Sequence, residues 1–284
     1  MHSRKDTTYR PQWLPIGATG WTTSSEDSVT LRIDSLPPET KRLLDTISTY
    51  DEISDFVLIG GTALALSWGH RRSEDLDFAI PRMRLPRPIC DRILERLETD
   101  GWEIEDVGNE MARLYAENDG EDLADTQQDF LCRFGGGIGV KLTFFAEYHP
   151  KRHPPYTRDH LHYRQVRIMP PEGIFELKSQ VIMRRKTSRD LYDIWAFLER
   201  GRSVDEILEE ARKEARHCSY ETLRSRLLPK NLPLYDPGLK ALVDDGPKDF
   251  AAVKAALLVH LDRYEQRIAA TMLAEDNGGS DNTP

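Results

Sequence analysis

The chain has 284 residues, 31% of them charged, and a formal net charge of −9. That length holds one large or two modest domains with enough apolar content for a sizeable core, and no apolar run approaches the roughly 20 residues that span a bilayer. The composition argues against a helical membrane protein, and Cys90, Cys132 and Cys218, odd in number and scattered, favour a reduced, cytoplasmic setting over a disulfide framework.

The first residues, MHSRKDTTYRPQWLP, lack the apolar stretch of a secretory signal, and residues 1–35 read as an irregular N-terminal arm packed by Trp13 and Trp21. Pro37 and Pro38 open a helix expected to run to Tyr50, with Leu43, Leu44 and Ile47 at helical spacing. FVLIGG follows as a short buried strand, TALALSWG as a helix stopped by Gly69, and DLDFAI as a second strand. A helix is expected over residues 88–99, and GWEIEDVGNEMARLYAE alternates enough to predict strands. DFLCRFGGGIGVKLTFFAEY reads as a hairpin turning at Gly135 to Gly137, which accounts for GGGIG without a dinucleotide fingerprint. Residues 149–167, rich in Pro and His, predict a long connection with a short strand near residues 166–169.

Helices then dominate. PEGIFELKSQVIMRR, SRDLYDIWAFLERG and SVDEILEEARKEARHCSYETLRSRLL each carry apolar residues at intervals of three and four, and a last helix is expected over residues 249–273. The expected class is α+β: a mixed β-sheet core flanked by helices over residues 36–170, then a C-terminal helical domain over 171–273 and a disordered tail over 274–284.

On a strand, residues two apart point to the same face, so Asp75 and Asp77 project together while Leu76 and Phe78 enter the core. Two carboxylates so placed repel each other unless a cation lies between them, and hard oxygen ligands of this kind suit Mg²⁺ bound together with substrate phosphates. A strand ending at Gly60-Gly61 and turning into a helix lets backbone N–H groups approach a phosphate. An isolated DxD is weak, because exposed strands often alternate acids. Between Lys141 and Asp190 there are eleven basic residues and five acidic ones, a local excess that suits a polyanionic ligand and equally describes a solvated surface.

The combination is more specific than its parts. Gly60-Gly61, thirteen intervening residues and Asp75-Leu76-Asp77-Phe78 resembles the DNA polymerase β-like nucleotidyltransferase superfamily. GGTALALSWGHRRSEDLDF closely resembles the first motif of AbiEii/AbiGii-type toxin nucleotidyltransferases, and ELKSQVIMRRKTSRDLYDIW is similar to their helix with a lysine followed by an Arg-Asp-Leu-x-Asp-like segment. The resemblance spans residues 57–198 and implies a Mg²⁺-dependent transfer of NMP from an NTP to a hydroxyl, commonly a tRNA 3′ end, by a toxin paired with a winged-helix antitoxin. It implies metal binding by Asp75 and Asp77, phosphate contacts at Gly60, Gly61 and Thr62, charge compensation by Lys178 or Arg72, and places for Asp190 and Asp193 near the cleft. The bland reading of the last two is helix-dipole compensation and a tie to a neighbouring helix, with Ser188 as the helix cap.

The pattern departs from the superfamily in one respect. Where a third strand carboxylate is expected, GVKLTFFAEY offers Thr143, and Glu147 comes too late. Either two acids suffice, Asp129 or Asp193 contributes, or the site is impaired. Histidines 149, 153, 160 and 162 fit no compact zinc spacing, and Tyr148, Tyr156 and Tyr163 among basic residues are expected to stack on bases or to anchor the loop. The competing functions are the same chemistry on a small molecule or protein hydroxyl, and a binding module on a degenerate scaffold.

Overall fold

The computed structural model describes residues 30–118, 120–147, 154–232, 239–243 and 246–278. The expected N-terminal arm up to residue 29, and Tyr148, His149 and His153, lie outside the described residues.

A seven-stranded mixed sheet organises the molecule, in the order β3-β4-β5-β2-β1-β7-β6. Beside its central strand β2 (Leu76–Ile80) runs the short strand β1 (Val57–Ile59), antiparallel to β2 and parallel to β7 (Val166–Ile168). Strand β2 runs parallel to β5 (Val140–Ala146), which returns antiparallel onto β4 (Gln127–Phe134) and so onto the edge strand β3 (Trp102–Asp106). The expected hairpin is present: Gly135 and Gly136 both take positive φ at its turn, which residues with a Cβ rarely adopt. Strand β6 (Leu161–Tyr163) pairs with β7 at the other edge and has no counterpart in the sequence reading.

Helix α1 (Pro38–Ile47) begins with the expected proline signal and ends three residues short of Tyr50; it buries Leu43, Leu44 and Ile47. Helix α2 (Gly60–Trp68) is apolar nearly all round and fully buried from Thr62 to Leu66, held between β1, β2 and the C-terminal helices. Gly69, at φ 61°, closes it in the left-handed conformation. Helix α3 (Arg87–Thr99) packs on α1 and β3. The segment read as strands yields β3 but then helix α4 (Glu110–Asn118): the apparent alternation beyond Gly108 is a helical stripe.

After the one-turn α5 (Pro154–Thr157) come α6 (Pro171–Val181) and α7 (Ser188–Glu199). The long helix expected next is broken into α8 (Val204–Glu214) and α9 (Tyr220–Leu227), because Ser219 caps a new start by accepting from the Thr222 N–H. Helix α10 (Phe250–Gly278) continues five residues beyond the expected end. Helix α6 packs on α2, α7 and α8, and α10 covers α7, α8 and α9, so one contiguous apolar core runs from the sheet into the C-terminal helices. No helix among the described residues is long and apolar enough to cross a membrane.

Candidate active site

The strand β1 delivers the chain to Gly60, and β2 carries the acidic pair back beside it. Ile59 is the register partner of Asp77, so the glycine turn lies next to that carboxylate. Gly60 takes φ 73°, and a Cβ there would come to 2.9 Å from Asp77 Oδ2. The first glycine is therefore required twice, by backbone conformation and by the closeness of the acid. A Cβ at Gly61 would collide with the Arg71 guanidinium. The two glycines thus let α2 start against one acidic and one basic side chain.

Asp75 precedes the strand and Asp77 lies within it, both partly exposed. Asp75 is 3.4 Å from Arg189 Nη1 at the start of α7. The Asp77 carboxylate makes no hydrogen bond or ion pair among the described residues. Burial, then repulsion from Asp75, pushes its pKa above the ordinary carboxylate value, against the opposing fields of Lys178, Lys141 and Arg185. The Thr62 hydroxyl is buried, 2.9 Å from Ser73 Oγ, and donates to the Asp75 carbonyl. Its side chain fixes the acidic loop, leaving its backbone N–H at the helix start as the group able to face a phosphate.

Behind this edge lies a buried ionic network. Lys178, on α6, places Nζ 2.5 Å from Asp190 Oδ1 and 2.9 Å from Asp193 Oδ2, both on α7. Asp193 also accepts from Arg71 Nε at 2.6 Å and Nη2 at 2.9 Å, and from His70 Nε2 at 2.8 Å. Burial opposes ionisation of Asp190, but Lys178 and Arg185 outweigh it and hold the group at about 2. Asp193, wholly buried, is likewise driven well below the usual range by Arg71 and Lys178 against the cost of burial. Burial lowers His70 to about 4, so its neutral ring donates from Nε2, while the buried Nδ1 has no hydrogen-bond partner among the described residues. At 2% and 0% exposure, Asp190 and Asp193 are occupied by the cations they hold and are closed to solvent. The cap of α7 is Thr187, accepting from the Asp190 N–H, and not the expected Ser188.

Sequence spacing drew attention to Arg72, whose side chain makes no ion pair among the described residues, while its neighbour Arg71 is the buried organiser. The signal that distinguishes them is a β-bridge between Arg71 and Ala241, flanked by Arg72 N–H donating to the Lys240 carbonyl; no local pattern encodes it. Arg189 and Lys141 were also missed as cations facing the acids.

The register answers the question of the third acid. Asp77 pairs with Thr143 on β5, and Thr143 pairs with Asp129 on β4, so the three side chains share one face in a row. Thr143 occupies the place beside Asp77 and passes a hydrogen bond of 3.0 Å to Asp129 Oδ1, which also lies 2.8 Å from Lys141 Nζ. Asp129 is therefore the acid in line with Asp77, one strand further out and already paired, whereas Asp193 belongs to the buried network. Among the described residues, no group of three or more His, Cys, Asp or Glu stands close enough to hold a metal.

The profile of the nucleotidyl transferase AbiEii toxin family, of type IV toxin–antitoxin systems, matches residues 42–270. The chain belongs to this family. An uncharacterised protein of Aquifex aeolicus is 24% identical to it over 212 residues, 74% of this chain and 88% of the relative. Among solved structures, a candidate nucleotidyltransferase of H. pylori is 19% identical with a TM-score of 0.43, the match covering 80% of this chain and 96% of the other. MenT4, a nucleotidyltransferase toxin of Mycobacterium tuberculosis, is 16% identical with the same TM-score of 0.43, over 81% of this chain and 88% of its own. This AbiEii chain is thus a nucleotidyltransferase, and the match encloses every residue of the glycine turn, the acidic edge and the ionic network.

Proposed function

We propose that the chain transfers NMP from an NTP to a hydroxyl at a tRNA 3′ end with release of pyrophosphate, in the cytoplasm, as the toxin of a type IV pair restrained by a winged-helix antitoxin. The observation that carries the chemistry is the unpaired Asp77 carboxylate, destabilised by burial and by Asp75, seated against a positive-φ glycine at the start of a helix. Such a pair fits a divalent cation: two hard oxygen donors with no internal counter-charge on Asp77, and a repulsion that a cation reverses. Asp75 and Asp77 would hold Mg²⁺, which when bound lowers the pKa of an attacking hydroxyl and neutralises phosphate charge.

The remaining work falls to the chain. Backbone N–H groups of Gly60, Gly61 and Thr62 receive phosphate oxygens at the α2 start, Arg72, without an ion pair among the described residues, compensates phosphate charge, and Arg189 orients Asp75. Lys178 contributes its field at Asp77 from inside the network and holds α6 and α7 in register behind the site. Because positioning and charge compensation supply the rate enhancement, no covalent enzyme intermediate is needed.

The test is incubation of wild type and Asp77→Ala with Mg²⁺, each α-labelled NTP in turn and total tRNA, resolved on denaturing gels. Label entering tRNA with wild type alone is the expected result. Label that enters only protein or small molecules favours the alternative acceptors, and no label with any NTP overturns the transferase reading.

A further inference from the structure

The loop between α6 and α7 leads from the ionic network to an open cleft of about 530 Å³, lined by Lys186, by Glu221, Arg224 and Ser225 of α9, and by residues 228–231 beyond it. Lys186 and Lys230 are exposed, and neither makes a hydrogen bond or ion pair among the described residues. Arg224 is engaged 3.0 Å from Glu265, and Glu221 is the one acid in the lining. Leu228 and Pro229 give the cleft an apolar floor, with Ser225 and Asn231 as hydrogen-bonding groups beside it.

The segment between α6 and α7 links the cleft to the acidic pair. Arg185, next to Lys186, is an ion-pair partner of Asp190 at 3.2 Å, and its field reaches Asp77. Lys186 is three residues before Arg189, the partner of Asp75. Three residues span at most about 11 Å of chain, so one short segment carries both a lysine of the cleft lining and the arginine that pairs with Asp75.

On the reading of RNA as the acceptor, we propose that this cleft binds the sugar-phosphate backbone of the acceptor strand, with Lys186 and Lys230 neutralising successive phosphates. A lone triphosphate is the poorer occupant. The cations come from separate segments around an open mouth, and so suit charge that repeats along a chain. Exposed lysines serve as point charges for phosphates, while an apolar floor flanked by hydroxyl and amide groups suits ribose with its 2′-OH.

Lys186→Ala/Lys230→Ala tests this. Both positions are exposed, and an unchanged melting midpoint verifies the fold. Binding of fluorescently labelled tRNA is followed by anisotropy across a salt series, with polyglutamate as a second probe and a fluorescent NTP analogue as a third. The double variant is expected to bind tRNA about tenfold more weakly near 0.15 M salt, with the log–log salt slope reduced by about 1.5, while NTP affinity is unchanged. Equal tRNA affinity and equal slope in the two proteins overturn the cleft assignment alone. Loss of NTP or polyglutamate binding with tRNA binding intact also overturns it, giving the cleft to the triphosphate or to an acidic protein. Wild type that shows no salt-dependent tRNA binding overturns the RNA reading of the function itself.

Discussion

Two pairs of aspartates belong to the candidate site, and their environments are opposite. Asp75 and Asp77 stand at the start of β2, partly exposed; Asp77 has no ion-pair partner among the described residues, and burial, then repulsion from Asp75, raises its pKa. Asp190 and Asp193 lie three apart on a buried helix face, share Lys178, and are pressed down by it together with Arg71 and Arg185. The same side chain is thus an acceptor for an outside charge in one place and the clasp of the fold in the other. Proximity to a motif says little about role; the supply of counter-charge decides it.

The sharpest break of the contrast is Asp193→Ala. Removing that carboxylate leaves Arg71 and Lys178 buried with part of their counter-charge gone, which costs about 3–5 kcal/mol and shows as a large fall in the denaturant midpoint. Gly60→Ala comes next. Its Cβ meets Asp77 at 2.9 Å in a backbone conformation costing roughly 1–2 kcal/mol for residues with a Cβ, so stability falls modestly while transfer activity drops by about 100-fold or more.

Acid sharpens the comparison. The folded-state pKa of Asp190, about 2, lies below the roughly 3.9 of an unfolded aspartate, so its ionisation contributes about 2–3 kcal/mol above that unfolded value, lost as the pH falls through about 2. His70, lowered to about 4, adds an earlier loss from about pH 6.5 down to 4, because the unfolded ring takes up a proton that the buried ring refuses. Stability measured from pH 7 to pH 2 is expected to fall through both windows in wild type, with the lower one flattened in Asp190→Asn.

The acidic edge was legible in the sequence because all its parts are local: two glycines, a helix and a DxD return within 18 residues, from Gly60 to Asp77. The hairpin, with its Thr143 beside Asp77, followed from alternation and a glycine turn. The clasp was only half legible. Its helix face showed in the three-residue spacing of Asp190 and Asp193, but the choice of Arg71 over Arg72 depends on a partner 122 residues away. Likewise, β6 is too short for its alternation to stand out, and the α8–α9 break rests on one capping serine inside a continuous apolar stripe. What the sequence hid was long-range pairing, which has no periodicity to read.

The smallest expected effect bears on the contrast itself. Asp77→Asn removes a carboxylate whose raised pKa makes its ionised form a cost to the fold above that pKa, so the variant is expected to melt slightly higher than wild type at pH 7 while losing transfer. The most direct measurement is thermal melting of wild type, Asp77→Asn and Asp190→Asn with and without Mg²⁺. In the absence of Mg²⁺, Asp77→Asn is expected to melt above wild type and Asp190→Asn below it. Mg²⁺ is expected to raise the midpoint of wild type and Asp190→Asn but to leave Asp77→Asn unmoved. An Asp77→Asn protein that melts below wild type and gains as much from Mg²⁺ would contradict the division of roles between the two acidic pairs.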